Sequence, residues 1–223
     1  RCGPPPQCAR QQGFQIYSSG PLQVALRGGE PWWLTALLAE LRRQLDSITT
    51  QSGEDYLLTI AAPAGPSAVA NIELDRIHPH LDFINVMTYD FHGGWELETN
   101  HNAPLYPSSS DPFSGSQTLN VDSAISAYLN EGIPAHKVVM GLPFYGRGWQ
   151  GVPNVNHGLY QSATGPAEAG TWEPGVFDYH DLVDNYLNDY ELYRDPEAEV
   201  PWLYSPTTGV MVSYDDPQSL GLK

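Results

Sequence analysis

The residues with the most chemical potential fall in two short stretches, FINVMTYDFHGGW and KVVMGLPFYGRGW. In the first, the apolar run from Phe83 ends in a phenol and a carboxylate, Tyr89 and Asp90. Residues two apart on a strand share a face, so Met87 and Tyr89 look the same way, and Asp90 follows as the strand runs out into its loop. A hydroxyl beside a carboxylate can orient a polar group of a ligand and favour positive charge developing on it. The bland alternative is that Tyr89 fills core and Asp90 caps a turn. In the second stretch Met140, Phe144 and Tyr145 suit a cleft wall or a core. Arg147 suits a ligand contact or an anchoring salt bridge, and Trp149 packing or binding. Trp95, in the loop between, has a ring face to offer. The P-loop motif GxxxxGK[ST] and the metal motif HExxH are missing, and His78 and His80 flank Pro79. With His92 and His101 they read as surface or loop histidines, and no cofactor or metal is expected.

The composition narrows the ligand class. With 26 Asp and Glu against 10 Lys and Arg the formal net charge is -16, which repels nucleic acid and anionic membrane surfaces. Hydrophobic residues at 41% exclude a disordered acidic segment. Six Trp and thirteen Tyr suit a neutral ring-shaped ligand such as a sugar, because aromatic faces give apolar contact beside a polar rim. Cys2 and Cys8 are the only cysteines, enough to close one small loop in an oxidising compartment and too few for a cysteine zinc site.

The elements that must position these residues are legible from Pro31 onward. Leu34, Leu37, Leu38, Leu41, Leu45 and Ile48 recur at helical spacing, with Arg42 and Arg43 opposite. YLLTIAAPAG then reads as a strand buried on both faces, and SAVANIELDRI as a short helix capped by Ser67. Between the strands LDFINVMTYD and KVVMGLPFYG, NVDSAISAYLNEG predicts a helix capped by Asn120. It turns Ile125, Tyr128 and Leu129 inward and stops at Gly132. Strand, helix, strand, helix, strand is a βαβ series with a parallel sheet. The unpatterned loop after Tyr89 is long enough to be functional. Beyond Tyr145 the texture changes to a small α+β lobe. It has a helix over Phe177–Tyr190 capped by Asp178, with Leu182, Val183 and Tyr186 inward. The hairpin PWLY-SPTT-GVMVSYDD follows, with Trp202 and Tyr204 in the lobe core. Of the first thirty residues, Phe14–Tyr17 and Leu22–Leu26 are apolar runs, each a candidate strand without a convincing partner pattern.

FINVMTYDFHGGW, MGLPFYGRGW, FDYHDL and GVMVSYDD together resemble the second half of a glycoside hydrolase family 18 chitinase, over roughly residues 34–216. The resemblance implies an α/β fold built on an eight-fold βα barrel with a small α+β domain inserted after the seventh strand. Such a barrel usually needs roughly 250 residues. This chain is therefore expected to hold a partial TIM barrel of about strands 5 to 7. The expected division is residues 1–30 as an atypical Pro/Gly-rich segment, 31–147 as partial barrel, 148–216 as the inserted domain and 217–223 as a lead-in to strand eight. It further implies retaining hydrolysis of β-1,4-linked N-acetylglucosamine polymers, with the substrate's own acetamido oxygen as nucleophile. In that scheme Tyr89 and Asp90 steady the acetamido group, and Met87, Trp95, Met140, Tyr145 and Arg147 bind the sugar. Chitin or its oligosaccharides would be the partner, and the compartment extracellular.

One departure from the family pattern is decisive. The family's general acid is a Glu at the end of strand four, inside D-x-x-D-x-D-x-E. Residues 1–31 contain no Asp and one Glu, Glu30, which no aspartate series precedes. The expectation is a chitinase-type chain without meaningful turnover, prone to self-association through open barrel edges. Two alternatives remain: a non-catalytic, lectin-like sugar binder, and an unrelated α/β fold.

Overall fold

The computed structural model describes residues 12–17, 32–113 and 115–223. Four strands, β1 (Gln12–Tyr17), β2 (Tyr56–Pro63), β3 (Phe83–Met87) and β4 (Val138–Met140), form a parallel sheet in chain order. The helices between them are α1 (Trp32–Ser52), the short α2 (Pro66–Val69) and α3 (Leu74–Ile77), and α4 (Val121–Asn130). The sheet therefore has one strand more than the three expected from the clearest apolar runs. Phe14–Tyr17 lies in β1, which pairs with β2 from Gln12↔Tyr56 to Tyr17↔Ala61. A strand whose partner among the described residues lies some forty residues away leaves no local pattern, which is why the sequence could not choose it. Leu22–Leu26, Cys2, Cys8 and Glu30 lie outside the described residues.

One face of the sheet is packed against helices. Leu38, Leu45, Leu58, Ile84, Val86 and Tyr128 belong to a single buried cluster, each side chain worth about 1.5–3 kcal/mol of transfer free energy when fully buried. Leu37, Ile48 and Leu129, expected inward, are 40%, 45% and 40% exposed. Arg42 is not a solvent cation. Its guanidinium reaches the sheet, with Nη1 donating to Asp82 at 3.2 Å and Nη2 to the Tyr56 carbonyl at 3.1 Å. Asn120 caps α4 as expected, accepting from the Ser123 N–H at 2.8 Å, and Gly132 ends it at φ +83°. Ser67 caps nothing; it lies inside α2, whose N-cap is Gly65.

The opposite face is only partly covered among the described residues, with Thr59 and Ala61 buried there and the rest of it less so. Register pairs Thr59 with Phe83, Ala61 with Asn85 and Asn85 with Val139 on this side. Phe83, Asn85 and Met87 are half-buried and Val139 is exposed. Parallel sheets normally have both faces covered, so this sheet is a segment of an unclosed wall.

Six further strands build an antiparallel lobe: β5 (Tyr145–Gln150), β6 (Gly165–Pro166), β7 (Val176–Asp178), β8 (Glu191–Asp195), β9 (Val200–Ser205) and β10 (Val210–Ser213). The expected hairpin is β9–β10. Where one helix was expected over Phe177–Tyr190, the chain instead makes β7, a single helical turn α5 (Tyr179–Asp181) and a π-turn over Leu182–Tyr186. Pairing of Phe177 with Gly146 of β5 outcompetes the helix there. Leu182 is buried, whereas Val183 is exposed. A last helix, α6 (Pro217–Leu222), is closed by a capping box between Asp216 and Ser219.

His92 and His101 lie in the long loop, one of the two placements expected for them, but are buried rather than at the surface. His101 Nε2 is 3.4 Å from Asp195 Oδ2, and the other Asp195 oxygen accepts the Glu197 and Ala198 N–H groups at 2.9 and 3.0 Å. Burial pushes the Asp195 carboxyl up, but the hydrogen bonds from His101 and those two amides outweigh it and hold the group well below the usual range. A depressed carboxyl contributes stability above its unfolded pKa and loses it as the pH falls through the folded value. Melting temperature is therefore expected to fall below about pH 4, and less steeply in Asp195→Asn. Parallel acid-melting curves for the two proteins would contradict this account.

Candidate substrate-binding site

The site is assembled where the parallel sheet meets the lobe. Tyr89 follows β3 on the open-face side with Met87, while the buried Thr88 points away and donates to the Gly141 carbonyl at 2.6 Å. Space for the Tyr89 ring depends on a missing side chain. A Cβ on Gly141 would lie 2.8 Å from Tyr89 Cε1 and 2.7 Å from the Val86 carbonyl oxygen.

Asp90 turns the chain with a left-handed backbone, φ +58°, a conformation that surrounding contacts must hold in a non-glycine residue. Its carboxylate is clamped from β5: Oδ1 accepts Tyr145 Oη at 2.6 Å and Arg147 Nε at 2.8 Å, and Oδ2 accepts Arg147 Nη2 at 2.8 Å. Alternation along β5 explains the pairing, because Tyr145 and Arg147 are two apart and share a face. The fork-to-fork geometry is the strong form of such a bond. Burial opposes the Arg147 charge, but the Asp90 bonds outweigh it and keep the guanidinium protonated. Burial, then the Asp90 bond, pushes the Tyr145 phenol well up, and burial followed by the Asp90 charge raises Tyr89. Both phenols are therefore neutral hydroxyls at any physiological pH.

The guanidinium carbon of Arg147 lies 5.2 Å from the Trp95 ring centroid and 5.3 Å from that of Tyr145, within cation–π range. Tyr89 meets Tyr145 edge-on at 6.2 Å. Trp95 is 57% exposed, so its ring is available to a ligand. The structure thus brings together Tyr89, Asp90, Trp95, Tyr145 and Arg147, with Met87 on the same side of the sheet as Tyr89. Met140 is not among them. It pairs in register with Val86 and packs on the helix-side cluster. Trp149 packs rather than binds, fully buried with Nε1 donating to the Glu96 carbonyl at 3.2 Å. Phe144 is 66% exposed. Trp202 and Tyr204 are lobe core as expected.

Two contributors were invisible to sequence reasoning. Glu173 approaches Arg147 Nη1 at 3.9 Å, and Asn102 accepts the Asp90 N–H at 2.9 Å. Both sit in loops with no period to reveal them. A cavity of about 160 Å³ bordered by Ser108, Asn156, Tyr160, Arg194 and Trp202 lies between the lobe and the long loop and includes none of Tyr89, Asp90, Tyr145 and Arg147. Among the described residues no group of three His, Cys, Asp or Glu is placed to hold a metal.

An α/β sheet that delivers a phenol and a clamped carboxylate to the edge of an inserted lobe matches one set of known proteins. Residues 22–223 fit the glycosyl hydrolases family 18, and the chain belongs to that family. It is 43% identical over 194 residues to Chitinase A1 of Niallia circulans, covering 85% of this chain and 28% of that protein. The solved Chitinase ChiA74 from Bacillus thuringiensis superposes with a TM-score of 0.82 at 39% identity, covering 95% of this chain and 36% of the other. Human YKL-39, described as a pseudo-chitinase with retained chitooligosaccharide binding properties, superposes with a TM-score of 0.79 at 32% identity. That match covers 85% of this chain and 52% of YKL-39. The chain spans 28% of the first of these curated relatives and 47% of another, Chitinase B of Serratia marcescens.

Proposed function

We propose that the chain carries the sugar-cradling side of a chitinase-type site, binds N-acetylglucosamine oligosaccharides, and does not hydrolyse them. The observation that carries this reading is the Asp90 clamp. A carboxylate fixed by Tyr145 and Arg147 beside the Tyr89 hydroxyl is suited to steady an acetamide and to favour the positive charge it gains on attacking the anomeric carbon. The parent reaction would be retaining and substrate-assisted. In this reading β1 to β4 stand for strands four to seven of the barrel, and β5 to β10 for the inserted domain. β1 then occupies the strand that should deliver the acid, yet Gln12–Tyr17 holds no carboxylate. The likeness to YKL-39 favours surviving sugar affinity over a purely structural remnant. Family membership supports an extracellular location.

The test is calorimetric titration with an N-acetylglucosamine hexamer. Micromolar to millimolar binding is expected in the parent, with a loss of about tenfold or more in Asp90→Ala. A parent without measurable affinity, or an Asp90→Ala variant that binds equally well, overturns the reading.

The uncovered face of the sheet, with Val139 at 42% exposure, also leads us to expect self-association through the open wall. Sedimentation over a hundredfold concentration range should show a rising average mass, and a constant monomer mass would contradict it.

A further inference from the structure

We propose that Asn102 is the positioning residue of this site: it holds Asp90 in its left-handed turn and fixes that turn to the two lobe strands that carry and flank the clamp. The inference rests on the sugar-binding reading above and adds to it a residue that touches no ligand.

Four hydrogen bonds converge on Asn102, which is 1% exposed. Its Oδ1 accepts the Asp90 N–H at 2.9 Å, and its carbonyl accepts the next amide, Phe91 N–H, at 3.0 Å. Both peptides that define the turn are thus held by one residue. Its Nδ2 donates to the Tyr145 carbonyl at 3.4 Å, and its own N–H donates to Ser213 Oγ at 2.9 Å. Tyr145 supplies the hydroxyl on Asp90. Ser213 is the cross-strand partner of Arg147, which supplies the guanidinium.

The chemistry explains why an amide side chain is needed. Asp90 has φ +58°, a conformation disfavoured for a residue with a Cβ. Left to itself the turn relaxes, and the carboxylate leaves the plane in which Tyr145 and Arg147 meet it. Holding it requires an acceptor for the Asp90 N–H and a donor for the Tyr145 carbonyl on the same short side chain, and among side chains of this length only Asn offers both. Placement is also demanding, since catalytic and binding groups must be fixed within about half an ångström by the shell behind them.

The experiment compares three variants by titration with the N-acetylglucosamine hexamer, each well below its melting temperature. Asn102→Ala is expected to lose tenfold or more in affinity. Asn102→Asp keeps the acceptor for the Asp90 N–H but sets an acceptor-only carboxylate against the Tyr145 carbonyl, and should lose as much as the alanine variant. Thr99→Val is the control for loop stability. It removes a buried hydroxyl that bonds the Gly158 carbonyl at 2.6 Å in the same loop without touching Asp90, and should bind like the parent. Asn102→Ala binding within twofold of the parent, or Thr99→Val losing as much as Asn102→Ala, overturns the proposal. Should Asn102→Ala not fold, or the parent not bind sugar, amide hydrogen exchange on the unmodified chain decides. The Asp90 and Phe91 amides should be protected together, and rapid exchange at Asp90 refutes the anchoring role independently of any sugar.

Discussion

Incubated with a chromogenic N-acetylglucosamine oligomer, the purified chain is expected to release product no faster than buffer. Departure of a sugar alkoxide needs a proton donor within hydrogen-bond reach of the glycosidic oxygen, and loss of such a donor costs about 10²–10⁴-fold in rate. Asp90 cannot serve, because both its oxygens are engaged by Tyr145 and Arg147 as an ion pair. β1 offers Gln12, Gly13, Phe14, Gln15, Ile16 and Tyr17, and no Asp or Glu follows before Glu30. Clear turnover that disappears in Asp90→Asn and Tyr89→Phe would show that an acid has been overlooked, and Glu30→Gln would be the next variant to make. Turnover unaffected by either substitution would place the chemistry somewhere else entirely.

The second large effect concerns stability. Lys223 Nζ is fully enclosed, 2.7 Å from both oxygens of Asp215 and 2.5 Å from the Ala103 carbonyl. The two side chains are 0% and 1% exposed. This pair ties α6 to the end of β10 and to the loop that contains Asn102. Removing one member of a buried pair strands the other charge, at a cost of about 3–5 kcal/mol. For a chain of this size that corresponds to a fall in melting temperature of about 6–20 °C. Lys223→Met is expected to show it. The double variant with Asp215→Leu should recover much of the loss, since an apolar pair of similar volume can replace a buried ion pair at little cost. The Ser219 hydroxyl, which donates to Asp215 at 2.7 Å, limits how complete that recovery can be. A Lys223→Met variant melting within 1 °C of the parent, on the order of the smallest resolvable effect, would mean that Lys223 contributes nothing to stability.

Sequence alone determined the elements whose partners are near or whose pattern is long. The leucine stripe of α1, the buried run of β2, the cap and stop of α4 and the β9–β10 hairpin all follow from period and capping chemistry. Tyr89 and Asp90 stood out at the end of an apolar run, whereas Tyr145 and Arg147 were singled out only through the resemblance of their motif to a known family. Tertiary structure alone decided what required distant pairing. β1 is a strand because β2 lies beside it. Residues after Val176 form a strand and a π-turn because β5 takes Phe177 as a partner. Met140 packs toward the helices, away from Tyr89, because its register is with Val86. Asn102 and Glu173 entered it from loops that carry no period. Periodicity records how a segment meets one neighbouring surface, whereas a site gathered from loops is fixed by which backbone groups lack partners once the sheets have formed.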